Sequence, residues 1–346
     1  MTTSNQGKAG AIQTLRRGKL TRRQSLIGLG GAAAAVFAPS YVKAAPITVR
    51  LGDVTTTDNP EYAAHVFFGK RISEETKDQY QVKIFPNSVL GGHTQMNEQV
   101  RNGTLEMAKS GQGFPATYDK ALGIFSLPYL YTTRAKLFAA LDGKLGDGYR
   151  KAASQYGFVT LGFYDSGIRN VYNTRGSFTT PEQFAAMKLK IRVQPDKIMV
   201  ATFNQLGAQS TPLEFAEVYN ALQQGVVDAA ENSVPYYISM KHIEVAKYFT
   251  KTQHLFGLDP LFASAKWFYA QPENIQKIFL DVARETVEYE RKKWLEAENA
   301  DYARAASAGT IINEADIPAF QQKGKAVWAQ YKGDLGALYD IVEATQ

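Results

Sequence analysis

Strand-like and helix-like patterns alternate along most of the chain, and this alternation restricts the fold more than any other feature. Ile47–Gly52 has strand composition, a polar loop runs from Asp53 to Pro60, and Ala63, Val66, Phe67 and Ile72 then recur at helical spacing. Tyr80–Phe85 alternates as a second strand, and a helix over 95–102 ends at Gly103. Further on, 158–164 reads as a buried strand that 171–173 continues. Thr180, Pro181 and Gln183 then form a compact helix start. Residues 189–193 are a strand, 215–222 a helix stopped by Gly225, and 226–230 a return to the sheet. Such a rhythm predicts an α/β chain with largely parallel sheets.

The last third is different. Residues 272 to about 306 hold few helix breakers and mixed charge, so they predict one helix of ~50 Å at ~1.5 Å per residue. A helix of that length would bridge two lobes; the alternative is two shorter helices with a kink. The chain has no cysteine, which excludes disulfides, thiolate metal sites and cysteine nucleophiles. The core must rest on packing, to which 19 Phe and 19 Tyr contribute.

Residues 1–44 are of another kind. They carry seven basic residues (Lys8, Arg16, Arg17, Lys19, Arg22, Arg23, Lys43) and no acidic one. An Ala- and Gly-rich apolar run, 26–39, follows, and then Val42-Lys43-Ala44. That order predicts a secretory signal, cut after Ala44 rather than Ala45 because Pro46 follows. The pair Arg22-Arg23 before a weakly hydrophobic core predicts twin-arginine export. Removing the seven leaves 32 basic against 33 acidic residues, so the net charge of +6 belongs to the leader. A nucleic-acid role thereby loses its support. No later stretch has the ~18 apolar residues of a membrane span, so the remainder, 45–346, is expected to be soluble.

Templates for catalysis fail. Gly28-Leu29-Gly30 lies in the leader, and Ser110 lacks the flanking glycines of a nucleophile elbow. His65, His93, His242 and His254 show no metal spacing and no evident carboxylate partner, and read as isolated surface or capping residues. No metal or cofactor is expected. The arginines are more informative. Strand alternation places Arg192 opposite Ile191 and Val193, where a guanidinium needs an internal carboxylate or an anionic ligand. Arg169 sits similarly after a strand.

The run 178–193, containing Thr180-Pro181-Glu182-Gln183-Phe184 and Lys190-Ile191-Arg192-Val193, resembles the central signature of TRAP-transporter solute-binding proteins of the DctP type. So does 206–232, with Thr211-Pro212-Leu213-Glu214-Phe215 and Gly225-Val226-Val227-Asp228-Ala229-Ala230-Glu231-Asn232. Leu127-Pro128-Tyr129-Leu130-Tyr131 fits as well. The resemblance implies a type II-like periplasmic binding protein of two α/β lobes. Lobe 1 would be about 45–165 plus part of the C-terminal region and lobe 2 about 166–270. Hinge strands and the helix at about 272–306 would join them. It implies capture of a small organic carboxylate, a sugar acid or other mono- or dicarboxylate, by lobe closure in the periplasm, and delivery to a TRAP-type membrane permease. Arg192 would pair with the carboxylate and Arg169 would be a second anion contact. Phe215 would be an apolar wall, or plain core, and Asn232 a hydrogen-bonding group, or a turn cap. Thr56 and Asp58 in the first loop, and Gln112 and Phe114, would be further ligand contacts. Lys188 departs from the pattern, which has glycine there, and this puts the local turn in question. The rival readings are a binding subunit of an ATP-driven transporter, a sensor subunit, and an exported enzyme acting on acidic sugars through Glu217 or Glu231.

Overall fold

The computed structural model describes residues 45–345; the expected leader lies outside the described residues. The strands are β1 Ile47–Gly52, β2 Tyr80–Phe85, β3 Met107–Lys109, β4 Phe158–Asn173, β5 Lys190–Val193, β6 Gln209–Pro212, β7 Ala229–Asn232, β8 Tyr248–Ser264 and β9 Ile311–Glu314. They form one sheet in the order β2-β1-β3-β8-β4-β7-β5-β6, with β9 on β8. Pairing is parallel within β2-β1-β3 and within β7-β5-β6. The joints β3-β8, β8-β4 and β4-β7 are antiparallel. The largely parallel expectation therefore holds for the two flanks, while the seam between them is antiparallel.

That seam is the hinge. β4 and β8 run the length of both flanks, and their register slips between Thr160 and Gly162, Asp165 and Gly167, and Arg169 and Val171. Bulges of this kind bend a strand and raise its twist. Gly167, at φ +81°, marks the turnover: a Cβ there would lie 2.6 Å from the Cβ of Ser233 and 2.7 Å from Trp294 Nε1. The result is the two-lobed α/β architecture with crossing hinge strands.

Residues Glu273–Ser307 form one helix of 35 residues, not two. Its Phe279 packs edge-on to Phe68 of α1 (Pro60–Glu75), and Tyr289 stacks on Phe67 at 4.5 Å. Further along, the buried Trp294 meets Tyr236 of the helix Val234–Ser239. Its carboxylates also serve the hinge: Glu290 accepts from Asp165 N at 2.7 Å and Glu298 from Ile168 N at 3.0 Å. Backbone donors freed by the bulges are thus satisfied from the bridging helix.

Local readings survive with shifted ends. The helix expected over 95–102 is α2, His93–Asn102, closed by Gly103 at φ +80°. Thr180 and Gln183 form the reciprocal capping box. Residues 215–222 split into a 3-10 turn, Phe215–Glu217, and a helix, Val218–Gln223. The strand expected over 226–230 starts later and reaches Asn232. Lys188 takes the left-handed conformation, φ +48°, so the turn keeps a glycine geometry without the glycine. No helix among the described residues is long and apolar enough to cross a membrane.

Candidate functional site

Both lobes contribute to a small, partly open pocket at the seam. Its wall includes His93, Phe114, Arg169, Arg192, Gln194 and Asn232, with Lys109, Phe215, Tyr236 and Asp259 completing it. β5 explains the first of these. Ile191 and Val193 enter the apolar core of their lobe, and the opposite face sends Arg192 and, two residues on, Gln194 to the pocket.

Arg192 is 1% exposed. Its Nε and Nη2 donate to Leu213 O at 3.0 and 2.7 Å, and its guanidinium lies 5.6 Å from the Phe215 ring centre. Among the described residues no carboxylate lies within ion-pair distance of it. Burial consequently pulls its pKa down to about 10. Arg169 is the contrast. Glu231 grips it through Nε–Oε2 at 2.6 Å and Nη2–Oε1 at 2.7 Å, and the Glu231 carbonyl takes Nη2 at 3.0 Å. Burial pushes Glu231 up, but Arg169 and His254 outweigh it and hold the carboxyl down to about 2. Two buried arginines thus stand side by side in function, one neutralised and one not.

The surrounding polar groups have one end fixed by the fold. Asn232 Oδ1 accepts from Ser233 N at 2.9 Å, which commits its Nδ2 to the role of donor. Gln194 Oε1 accepts from Gly113 N at 2.8 Å, with the same consequence for its Nε2. His93 Nδ1 accepts from Gly111 N at 3.3 Å; burial lowers its pKa to about 3, so the ring is neutral and carries its proton on Nε2. The pocket is donor-rich beside an uncompensated cation.

Lys109 reaches the same pocket but is spent internally. Its Nζ lies 2.9 Å from Glu61, 3.1 Å from Asp259 and 3.3 Å from Asp53, all buried. Burial outweighs the pull of Lys109 on Glu61 and, with Asp259 and Asp53 near, raises its pKa well above the carboxylate range. The Tyr236 hydroxyl lies 2.8 Å from Glu61 Oε2 and 2.7 Å from Asp259 Oδ2. The single hydroxyl proton of Tyr236 serves only one of the two carboxyls at a time.

Of the residues expected in the site, Arg192, Arg169, Asn232, Phe215 and Phe114 line this pocket. Phe215 is wall and core at once, since it also packs edge-on to Tyr236 and His242. Gln112 does not line it: its Nε2 donates to Phe125 O and its Oε1 accepts from Leu258 N, both at 2.9 Å, which ties β8 to the segment Lys120–Ser126. Thr56 and Asp58 bond to each other in the loop before α1, outside the pocket wall. The histidines depart from expectation: all four are buried. His65 pairs with Asp53 at 3.0 Å and His254 with Glu231 at 3.3 Å, partners 12 and 23 residues away that only the fold brings near. No group of side chains suited to hold a metal ion occurs among the described residues. His93, Lys109, Gln194, Tyr236 and Asp259 were missed. Gln194 was within reach, since it shares a strand face with Arg192.

A two-lobed α/β fold with a buried, uncompensated guanidinium at the seam defines a receptor for a small anion. The chain belongs to the bacterial extracellular solute-binding protein family 7 (DctP), whose family model matches residues 51–334. It is 30% identical over 300 residues, 86% of this chain and 90% of the relative, to the 2,3-diketo-L-gulonate-binding periplasmic protein of Escherichia coli. Two solved TRAP periplasmic solute-binding proteins are similar in structure. One, from a Sulfitobacter species with bound β-D-galacturonate, has TM-score 0.82 and 31% identity over 86% of this chain and 98% of that one. Another, from Roseobacter denitrificans with bound β-D-glucuronate, has TM-score 0.83 and 30% identity over 87% and 100%.

Proposed function

We propose that this protein captures a hydroxylated monocarboxylate of the sugar-acid class in the periplasm and hands it to a TRAP-type membrane permease. The observation that carries the reading is Arg192, buried and without a carboxylate partner among the described residues. A ligand carboxylate supplies the missing charge through a charge-assisted pair, strengthened as the lobes exclude water. Asn232, Gln194 and His93 donate to the remaining ligand oxygens, and Asp259 accepts from a hydroxyl. Arg169 acts mainly by fixing Glu231 and the end of β7, and secondarily as an anion contact. With Lys109 already committed to three carboxyls, a second ligand carboxylate finds no equivalent anchor. That favours uronates and aldonates over dicarboxylates, in line with the uronates in the similar structures.

Lobes at about 45–165 and 166–270 close on the ligand, and no bond is made or broken. Two features disfavour catalysis by the carboxylates once considered for it. Glu231 is locked in its pair with Arg169, and Glu217 is exposed in the capping box of Phe215–Glu217, away from the pocket wall. A thermal-shift and calorimetric panel of D-glucuronate, D-galacturonate, D-gluconate, succinate and a neutral hexose tests the proposal. Uronates or aldonates should bind and be recovered unchanged. Binding of succinate in preference to all sugar acids, or of the neutral hexose, would sink it.

A further inference from the structure

Glu214 stands between Leu213, whose carbonyl receives Arg192, and Phe215, whose ring underlies it. Its side chain turns away from the pocket toward the N-terminus of α2 in the other lobe. Thr94 N donates to Glu214 Oε1 at 3.2 Å, and Oε2 is buried without a protein partner. α2 needs such a group. Its N-cap is Gly92, which has no side chain to receive the first amides, and no side-chain cap bond is made from within the helix. Ser, Thr, Asp or Asn ordinarily stands at that position. Here the space is taken: a Cβ on Gly92 would lie 2.9 Å from Glu214 Oε2 and 3.0 Å from its Cδ, so a side chain at 92 would have to displace that carboxylate. The glycine leaves room for a cap supplied from across the cleft. A negative charge at this end of the helix also opposes the helix dipole favourably.

We propose that Glu214 is the latch of lobe closure, a positioning residue that couples ligand engagement to the closed state. This rests on the reading of the pocket as a carboxylate site. When the lobes meet, the carboxylate of Glu214 replaces water at the amides of α2, and His93, the first residue of that helix, is set against the pocket. The segment 213–215 holds Arg192 at one end and the opposite lobe at the other. A second tether, Glu217 Oε2 accepting from Glu214 N at 3.2 Å, fixes the segment itself. Losing the latch therefore leaves encounter unchanged and shortens the bound state.

The test is stopped-flow binding of D-glucuronate and D-galacturonate to the full mature protein and three variants. Glu214→Ala should raise koff about five- to tenfold with kon unchanged, the scale of one lost helix cap and charge–dipole contact. Glu214→Gln, which can still accept the hydrogen bond, should raise it about two- to threefold. The third variant, Gly92→Ser with Glu214→Ala, separates latch from cap: the serine caps α2 from its own lobe in the space that Glu214 vacates. Its koff should stay fast. A return of koff to the wild-type value in that double variant would make Glu214 a helix cap and nothing more, and overturn the proposal, as would an unchanged koff in Glu214→Ala. Since the chain has no cysteine, fluorophores at Val89→Cys and Val226→Cys, both exposed, report closure without ligand. Shorter closed dwells in Glu214→Ala support the latch, and equal dwells refute it. Should no uronate bind the wild type, the sugar-acid reading fails while the dwell times still decide the latch.

Discussion

Replacing Arg192 by Met separates a ligand anchor from a structural arginine, because the two roles predict opposite balances of stability and affinity. In the fold the guanidinium is buried and donates to one carbonyl, Leu213 O. A pKa pulled down to about 10 from an ordinary value near 12.5 corresponds to about 3 kcal/mol held against the charged form. Removing the charge recovers that penalty. Against this, Leu213 O loses its donors at ~1–3 kcal/mol, while Met keeps most of the packing on Phe215. The terms nearly cancel, so the melting temperature without ligand should move by no more than about 3 °C. Affinity should collapse. Truncating one partner of a buried hydrogen-bonded charge pair costs ~2–5 kcal/mol, or about 30- to 4,000-fold in Kd. Differential scanning calorimetry without ligand and isothermal titration with D-glucuronate measure both sides. A fall of more than about 8 °C with affinity retained within threefold would show that Arg192 serves the fold, and the argument from the unpaired cation would be wrong.

Three further outcomes follow from neighbouring geometry. Glu231→Gln leaves Arg169 buried beside a neutral amide, at a cost of ~3–5 kcal/mol seen in urea denaturation at pH 7. Because Glu231 is held down to about 2, its contribution in the wild type is complete above about pH 4.5 and is lost as pH falls toward 2, so the two proteins should converge in acid. Asp196 caps the helix Lys197–Gln205 through Oδ1, while burial raises its pKa to about 6. A raised acid stabilises only below its unfolded pKa and loses that as pH climbs through 6. Asp196→Asn, which keeps the cap, should raise the melting temperature at pH 8 by a few degrees, and not at pH 4. Lys188→Gly should relieve a left-handed lysine and add about 1 kcal/mol in chemical denaturation, with ligand affinity unchanged.

Arg192 and Lys109 show where the sequence stops being legible. Both are buried cations in short strands at the pocket. The context of Arg192 is local: Ile191 and Val193 fix which face it takes, and the long apolar-and-polar run around it carries a specific signature. The requirement for an anion could therefore be read from neighbours, whereas its isolation from internal carboxylates is settled only by the assembled fold. Lys109 sits in a strand of three residues with no alternation to read. Its partners lie 56, 48 and 150 positions away in Asp53, Glu61 and Asp259, and only the order β1-β3-β8 brings them to one point. Whether a buried lysine is a ligand anchor or a neutralised strut depends on those distant groups, and no pattern around residue 109 distinguishes the two. The same applies to Glu214, whose partner amide, Thr94 N, lies 120 residues away beside a glycine N-cap. The elements that were read, β1, β2, β4, β5, β7, the Thr180 cap and the bridging helix, rest on local patterns and fall within a few residues, whereas β3, β6, the hinge strand β8 and β9 were not read. The charge balance of the pocket is a sum over both lobes, and it separates a receptor with one anchor from a receptor with two only after the sheet has been assembled.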